Sequence, residues 1–128
     1  MCVVIPSFNN IQNDRYKKVM QTIFYQKYDN YHIVFIDDAS TDSTLKATKS
    51  YVEERKFDPK RIVYIRNEEQ RFATYNLRMA AYDYCHSKEV FVIVDGDDEL
   101  VGRYAFALLN MKYQSRNNWI VYTNFFSS

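Results

Sequence analysis

The sequence predicts an α/β fold: a three-layer α/β/α arrangement around a mainly parallel sheet, in a single domain spanning 1–128. Three observations carry this. Short continuous runs of β-branched and aromatic residues recur along the chain, helix-spaced apolar faces lie between them, and the two alternate from the start. Such alternation is the signature of βαβ units with right-handed crossovers, which put helices on both faces of a sheet.

Each element can be justified in order. Cys2 to Ile5 is an apolar run without polar alternation, as expected of a strand buried on both faces. Tyr16, Val19, Met20, Ile23 and Phe24 then fall on one helical face. Ile33 to Ile36 is the second strand. From Thr41 to Arg55 the spacing predicts a helix with Leu45, Thr48 and Val52 inward and Ser40 or Thr41 as N-cap. Ile62 to Ile65 is the third strand, and Ala73, Leu77, Ala80, Ala81 and Tyr84 form the next helical face. Val90 to Val94 reads as the fourth strand. Val101, Ala105, Leu108 and Leu109 read as the last helix, and Trp119 to Tyr122 as a fifth strand. No linker, internal repeat or low-complexity segment interrupts the series.

Composition narrows the function. Apolar content of 47% with 22 aromatic residues is enough to build a core. Seventeen Lys+Arg against 16 Asp+Glu leave no basic footprint for nucleic acid or an anionic membrane surface. Two glycines, Gly96 and Gly102, cannot supply G-x-G-x-x-G, a P-loop or G-x-S-x-G. Cys2 and Cys85 form no C-x-x-C, and His32 and His86 no H-E-x-x-H, which argues against zinc and for ordinary structural roles. Two cysteines suit a reducing compartment. No run approaches the ~20 apolar residues of a membrane span, and the start of the chain does not read as a signal peptide. The expected location is the cytoplasm or the cytoplasmic face of a membrane.

In open α/β sheets ligands bind beyond the carboxyl ends of the strands, so the text after each strand is the informative part. Pro6-Ser7-Phe8-Asn9-Asn10 follows the first, Asp37-Asp38-Ala39-Ser40-Thr41-Asp42 the second, and Asp95-Gly96-Asp97-Asp98-Glu99 the fourth. Seven of the 16 acids crowd into the last two loops. Adjacent carboxylates raise one another's pKa unless a cation neutralises them, and oxygen-only clusters suit hard ions such as Mg²⁺ or Mn²⁺. Asp37, Asp38 and Asp42 also admit a plainer role, charging and capping the next helix.

Val3 to Asn9, Phe35 to Asp42 and Val94 to Asp98, in this order and spacing, resemble the nucleotide-sugar-binding portion of a family 2 glycosyltransferase with the GT-A fold. Arg71 and Asn76 sit where that family has a basic residue and an Asn between the acidic loops. The resemblance covers essentially the whole chain. It implies that Pro6, Ser7 and Phe8 line a base pocket, and that Asp38, with Asp37 beside it, accepts hydrogen bonds from base or ribose. Asp95, Gly96 and Asp97 match the D-x-D motif: Asp95 would face ribose or sugar, and Asp97, with Asp95 and Asp98, would hold Mn²⁺ or Mg²⁺. Arg71 would lie near the diphosphate or support the acidic loop. The implied partner is a UDP- or GDP-sugar, and the implied reaction is inverting transfer to an acceptor hydroxyl of glycan, lipid or protein.

Two departures from the family pattern generate expectations. Ala39 replaces a frequent glycine and resists positive φ, which predicts a differently shaped loop around Asp38. The family's general base lies far downstream of D-x-D, so the chain is expected to be the donor-binding portion of a longer, apparently truncated enzyme, or a non-catalytic binding fragment. Two rivals come from other classes. A phosphotransfer receiver would carry its paired acids after the first strand and a lysine after the last. A D-x-D phosphatase would carry its motif after the first strand.

Overall fold

The structure, a computed structural model, describes residues 1–114. Strand β1 (Cys2–Ser7) leads through a short 3-10 turn (Gln12–Asp14) into helix α1 (Arg15–Phe24). Strand β2 (His32–Asp37), helix α2 (Thr44–Glu54) and a second 3-10 turn (Pro59–Arg61) precede strand β3 (Ile62–Arg66). Helix α3 (Phe72–Asp83), strand β4 (Phe91–Ile93) and helix α4 (Ala105–Gln114) complete the series. The expected strand at Trp119 to Tyr122 lies outside the described residues.

The four strands form one parallel sheet in the order β3-β2-β1-β4. β1 and β2 pair over their full length, from Cys2 opposite His32 to Ser7 opposite Asp37. Their side chains alternate between two cores. Val3, Ile5, Ile33 and Phe35 point to the face that packs Val19, Met20 and Ile23 of α1, Tyr51 and Val52 of α2, and Phe106 of α4. Cys2, Val4, Val34 and Ile36 point to the other face, under Ala80 of α3. A period of two on a strand buried on both sides reads as an unbroken apolar run, which is what the sequence displays.

The strand order carries the functional argument. The chain steps outward from β1 to β2 and β3, then returns across β1 to lay β4 on its other side. That reversal is a topological switch point, and the loops after β1 and β4 diverge there to leave a crevice. A receiver module flanks its first strand by the second and third, so the observed order is not that of a receiver.

Several local expectations are corrected. α2 begins later than its predicted start, and neither Ser40 nor Thr41 caps it: Asp42 accepts the Thr44 N–H at 3.0 Å, while Ser40 and Thr41 bond to Asn9. In α3 the inward stripe is Asn76, Leu77, Met79 and Ala80, with Ala73, Ala81 and Tyr84 exposed. Val101 precedes α4 and is exposed, and Phe106 is the side chain that α4 buries. Ile93 is half exposed, since β4 here is only a three-residue strand.

The cysteines depart furthest from expectation. Cys2 on β1 and Cys85 just past α3 are joined in a disulfide, not left as separate reduced thiols. Two residues 83 apart in sequence meet because α3 packs antiparallel to β1 and ends beside its first residue, which no spacing rule reveals. The bond closes a long loop, and chain-entropy reasoning gives such closure ~2–5 kcal/mol of stability. In metal-free buffer, a thiol reductant is therefore expected to lower the unfolding free energy by that amount and the urea midpoint with it, and Cys85→Ser to abolish the sensitivity. An unchanged midpoint on reduction would contradict the cross-link.

Candidate functional site

A cleft of about 240 Å³ opens at the switch point, lined by Pro6, Ser7, Phe8 and Asn10 after β1, Asp95, Gly96 and Asp97 after β4, and Asp38, Phe72 and Asn76 between. Phe8 is 40% exposed there, too open for a core residue. The floor of the cleft is tightly built. Asn10 Nδ2 donates to Ser7 Oγ at 2.7 Å, and the Gly96 N–H donates to the Pro6 carbonyl at 2.9 Å. A Cβ on Gly96 would stand 2.6 Å from Asn10 Nδ2 and 2.7 Å from Ser7 Oγ. Glycine is required here by close approach of the two loops.

The far wall is organised by two aspartates with different tasks. Asp37, fully buried, ion-pairs with the Arg66 guanidinium and accepts the Ser40 hydroxyl. Arg66 Nη2 also donates to the Ser40 carbonyl at 3.0 Å. Asp37 therefore faces the protein and closes the β2 loop onto β3; it does not reach the cleft. Asp38 does. Its carboxylate accepts the Arg71 N–H at 2.7 Å, Asn67 Nδ2 at 2.8 Å and the Phe72 N–H at 2.9 Å. The Asn76 side chain adds a further hydrogen-bonding contact, so donors surround the carboxylate on the wall of the cleft.

The loop around Asp38 keeps the conformation that Ala39 was expected to resist. Ala39 takes φ +62°, and Phe72, across the carboxylate, takes φ +68°. Each left-handed residue costs on the order of 1–2 kcal/mol, held in place by the hydrogen bonds converging on Asp38. Arg71 also differs from expectation. Its guanidinium pairs with Glu69 at 3.3 Å and lies over the Tyr75 ring at 5.1 Å, away from the cleft, so its contribution is the backbone N–H.

The acidic edge is electrostatically strained. Burial, then the Asp97 charge, pushes the Asp95 carboxyl above the ordinary carboxylate range. Asp98, behind the lining with its N–H on the Asp95 carbonyl at 2.9 Å, is pushed up by burial and by Asp97 and Asp95. Among the described residues no ion pair reaches Asp95, Asp97 or Asp98, and carboxylate oxygens of this charge suit a hard divalent ion.

Sequence reasoning missed Asn10, Arg66, Asn67 and Phe72. The Asn10 signal was present, a polar residue just past a buried strand. Arg66 and Asn67 end β3, and only the pairing of β3 with β2 puts them against Asp37 and Asp38.

Burial works to raise the Asp38 pKa, but the donors from Arg71, Asn67, Phe72 and Asn76 outweigh it and hold the carboxyl below its ordinary 3.8. A lowered folded-state pKa stabilises the protein above 3.8, and the contribution fades as pH falls through that value and below. Asp38→Asn is expected to cost ~1–3 kcal/mol at neutral pH and to flatten this acid dependence of the urea midpoint; parallel profiles would contradict it. Gly96→Ala is expected to cost ~1–3 kcal/mol by forcing Ser7 and Asn10 apart, and full stability in that variant would count against the packed floor.

Known proteins can now be compared with this geometry. Glycosyl transferase family 2 matches residues 2–123. A mannosyltransferase, PcManGT from Pyrobaculum calidifontis, solved with GDP-Man and Mn²⁺, superposes with a TM-score of 0.70 at 25% identity over 83% of this chain and 30% of its own. S. aureus TarS 1-349 superposes at 0.71 with 19% identity, over 89% of this chain and 32% of its own. The same protein with UDP-GlcNAc gives 0.67 at 17% identity, over 89% of this chain and 31% of its own. The chain thus spans about a third of the length of these structures, and no curated protein matches it. With a parallel sheet of this order and a cleft at its switch point, the chain belongs to glycosyl transferase family 2 and has the GT-A fold.

Proposed function

We propose that the cleft is the donor site of an inverting, metal-dependent glycosyltransferase that takes a UDP- or GDP-sugar. The observation that carries this is the convergence of an exposed aromatic ring, a cleft-lining carboxylate and a strained acidic edge on one cleft. Phe8 and Pro6 offer an apolar surface to the base. Asp38, on the wall of the cleft, is the carboxylate placed to meet a base N–H or ribose hydroxyl. Asp97, with Asp95 beside it on the cleft and Asp98 behind, would supply carboxylate oxygens to Mn²⁺ or Mg²⁺, which when bound would offset the charge of the diphosphate. Asp37 is kept in this reading as the residue that holds Asp38 in place.

Inverting transfer proceeds by attack of an acceptor hydroxyl on the anomeric carbon. The new C–O bond forms as the bond to the diphosphate breaks, and the hydroxyl proton passes to a general base. The residues around the cleft serve the donor side of that exchange. They orient the nucleoside, fix the diphosphate beside the acidic edge, and through Ser7, Asn10 and Gly96 keep the floor closed. The relatives' GDP-Man and UDP-GlcNAc complexes support a nucleotide-sugar ligand and leave the choice of base to experiment.

Thermal unfolding with UDP and GDP, each with and without Mn²⁺, tests the proposal. A ligand at 100 times its Kd adds ~2.7 kcal/mol, several degrees for a chain of this size. The expected result is a shift that needs nucleotide and metal together and disappears in Asp97→Ala. A folded protein with no shift, or an equal shift in that variant, would overturn the assignment.

A further inference from the structure

A second donor cluster stands at the opposite end of the sheet. Cys2 begins β1, His32 begins β2 directly opposite it, and Glu89 lies in the turn that leads into β4. Cys2 Sγ, His32 Nε2 and a Glu89 carboxylate oxygen all lie within 4.8 Å of one another. Cys2 is fully buried, while His32 and Glu89 are partly buried. The full length of β1, roughly 17 Å at 3.3 Å per residue, separates this group from the cleft.

We infer that this cluster is a redox-gated zinc site, in which Cys2, Cys85, His32 and Glu89 bind Zn²⁺ when the Cys2–Cys85 disulfide is reduced. The donor types argue for it. Thiolate with imidazole and carboxylate is a zinc set, whereas the oxygen-only edge of the cleft suits harder ions. The donors are already gathered: Glu89 lies 2.8 Å from His32 Nε2, accepts the His86 N–H at 2.8 Å and stands 3.4 Å from the Met1 ammonium, and zinc would replace the direct Glu89–His32 contact by binding both atoms. Cys85 and Glu89 leave α3 in one short turn, and the Cα atoms of Cys2 and Cys85 are 5.8 Å apart. Zinc bound tetrahedrally at ~2.0–2.3 Å from each donor needs ligand atoms roughly 3.4–3.8 Å apart, so Cys2, His32 and Glu89 must adjust by only about an ångström, while the Cys85 sulfur swings away from Cys2 on reduction to take the fourth position.

The chemistry balances with a dithiol as reductant. Its two sulfurs leave as a cyclic disulfide, and Cys2 and Cys85 each gain one electron and one proton. Zn²⁺ then displaces both thiol protons as the two Zn–S bonds form. The consequence is structural. The end of α3 stays tied to β1 in either redox state, by the disulfide when oxidised and by the metal when reduced. The four donors come from separate places in the chain, so no short zinc motif marks them in the sequence.

Cobalt(II) titration of the whole chain reads the site directly. The reduced, metal-free protein should bind one Co²⁺ with a thiolate-to-cobalt charge-transfer band and tetrahedral visible bands, both displaced by Zn²⁺. The oxidised protein should show neither band. His32→Ala should weaken cobalt binding at least about tenfold, and Cys2→Ser should remove most of the charge-transfer intensity. If reduction unfolds the chain, Zn²⁺ should restore its circular dichroism. A reduced protein without the thiolate band, a band unchanged in Cys2→Ser, or a reduced chain that zinc leaves unfolded would each overturn the inference. Binding at the acidic edge of the cleft would give no thiolate band and so cannot mimic the result.

Discussion

The geometry of the cleft depends on the pair of carboxylates that ends β2. Asp37 and Asp38 are adjacent, both almost completely withdrawn from water, and turned in different directions. A charge in that position is costly unless fully partnered. Asp37 meets the requirement through Arg66 and Ser40, which locks the β2 loop to β3. Asp38 meets it through Arg71, Phe72 and Asn67, which sets where α3 begins. The left-handed Ala39 and Phe72 persist because these bonds over-determine them. With α3 placed, its buried Asn76 accepts from Asn67 at 2.7 Å and closes the wall of the cleft.

The two ends of the sheet carry different chemistry for a topological reason. At the carboxyl ends, the reversal between β1 and β4 forces the loops apart, and oxygen donors gather in the gap. At the amino ends, β1, β2 and the entry to β4 converge, and α3 finishes against them with Cys85 and Glu89. One end is an open cleft with acids that a ligand must compensate. The other is a compact knot whose sulfur, nitrogen and oxygen groups already compensate one another.

The sequence displayed the layers clearly, because strands buried on both faces need uninterrupted apolar runs and helices need spaced ones. Four strands and the α1 face follow directly from that rule. The α3 face follows only in part: Leu77 and Ala80 turn inward as the spacing predicts, but the stripe also takes in Met79 and the polar Asn76, which a hydrophobic template passes over. In the site, Phe8, Asp38, Asp95, Gly96 and Asp97 were legible as residues just past strands at a switch point. Asp37 is fully buried against Arg66, which the sequence of two neighbouring acids does not disclose. Arg71 was assigned by its charge when its backbone N–H does the holding. The disulfide was invisible, since nothing local to Cys2 or Cys85 records that α3 returns to the start of β1.

The central claim is that the crevice between the β1 and β4 loops binds a nucleoside diphosphate together with a divalent metal. Amide NMR with Mn²⁺ tests it residue by residue, since the paramagnetic ion broadens the resonances nearest to it. In the presence of UDP or GDP, broadening should centre on Asp95, Gly96 and Asp97, with nucleotide-induced shifts at Phe8, Asp38 and Asn76. Broadening centred elsewhere, or nucleotide shifts that bypass Phe8 and Asp38, would contradict the account.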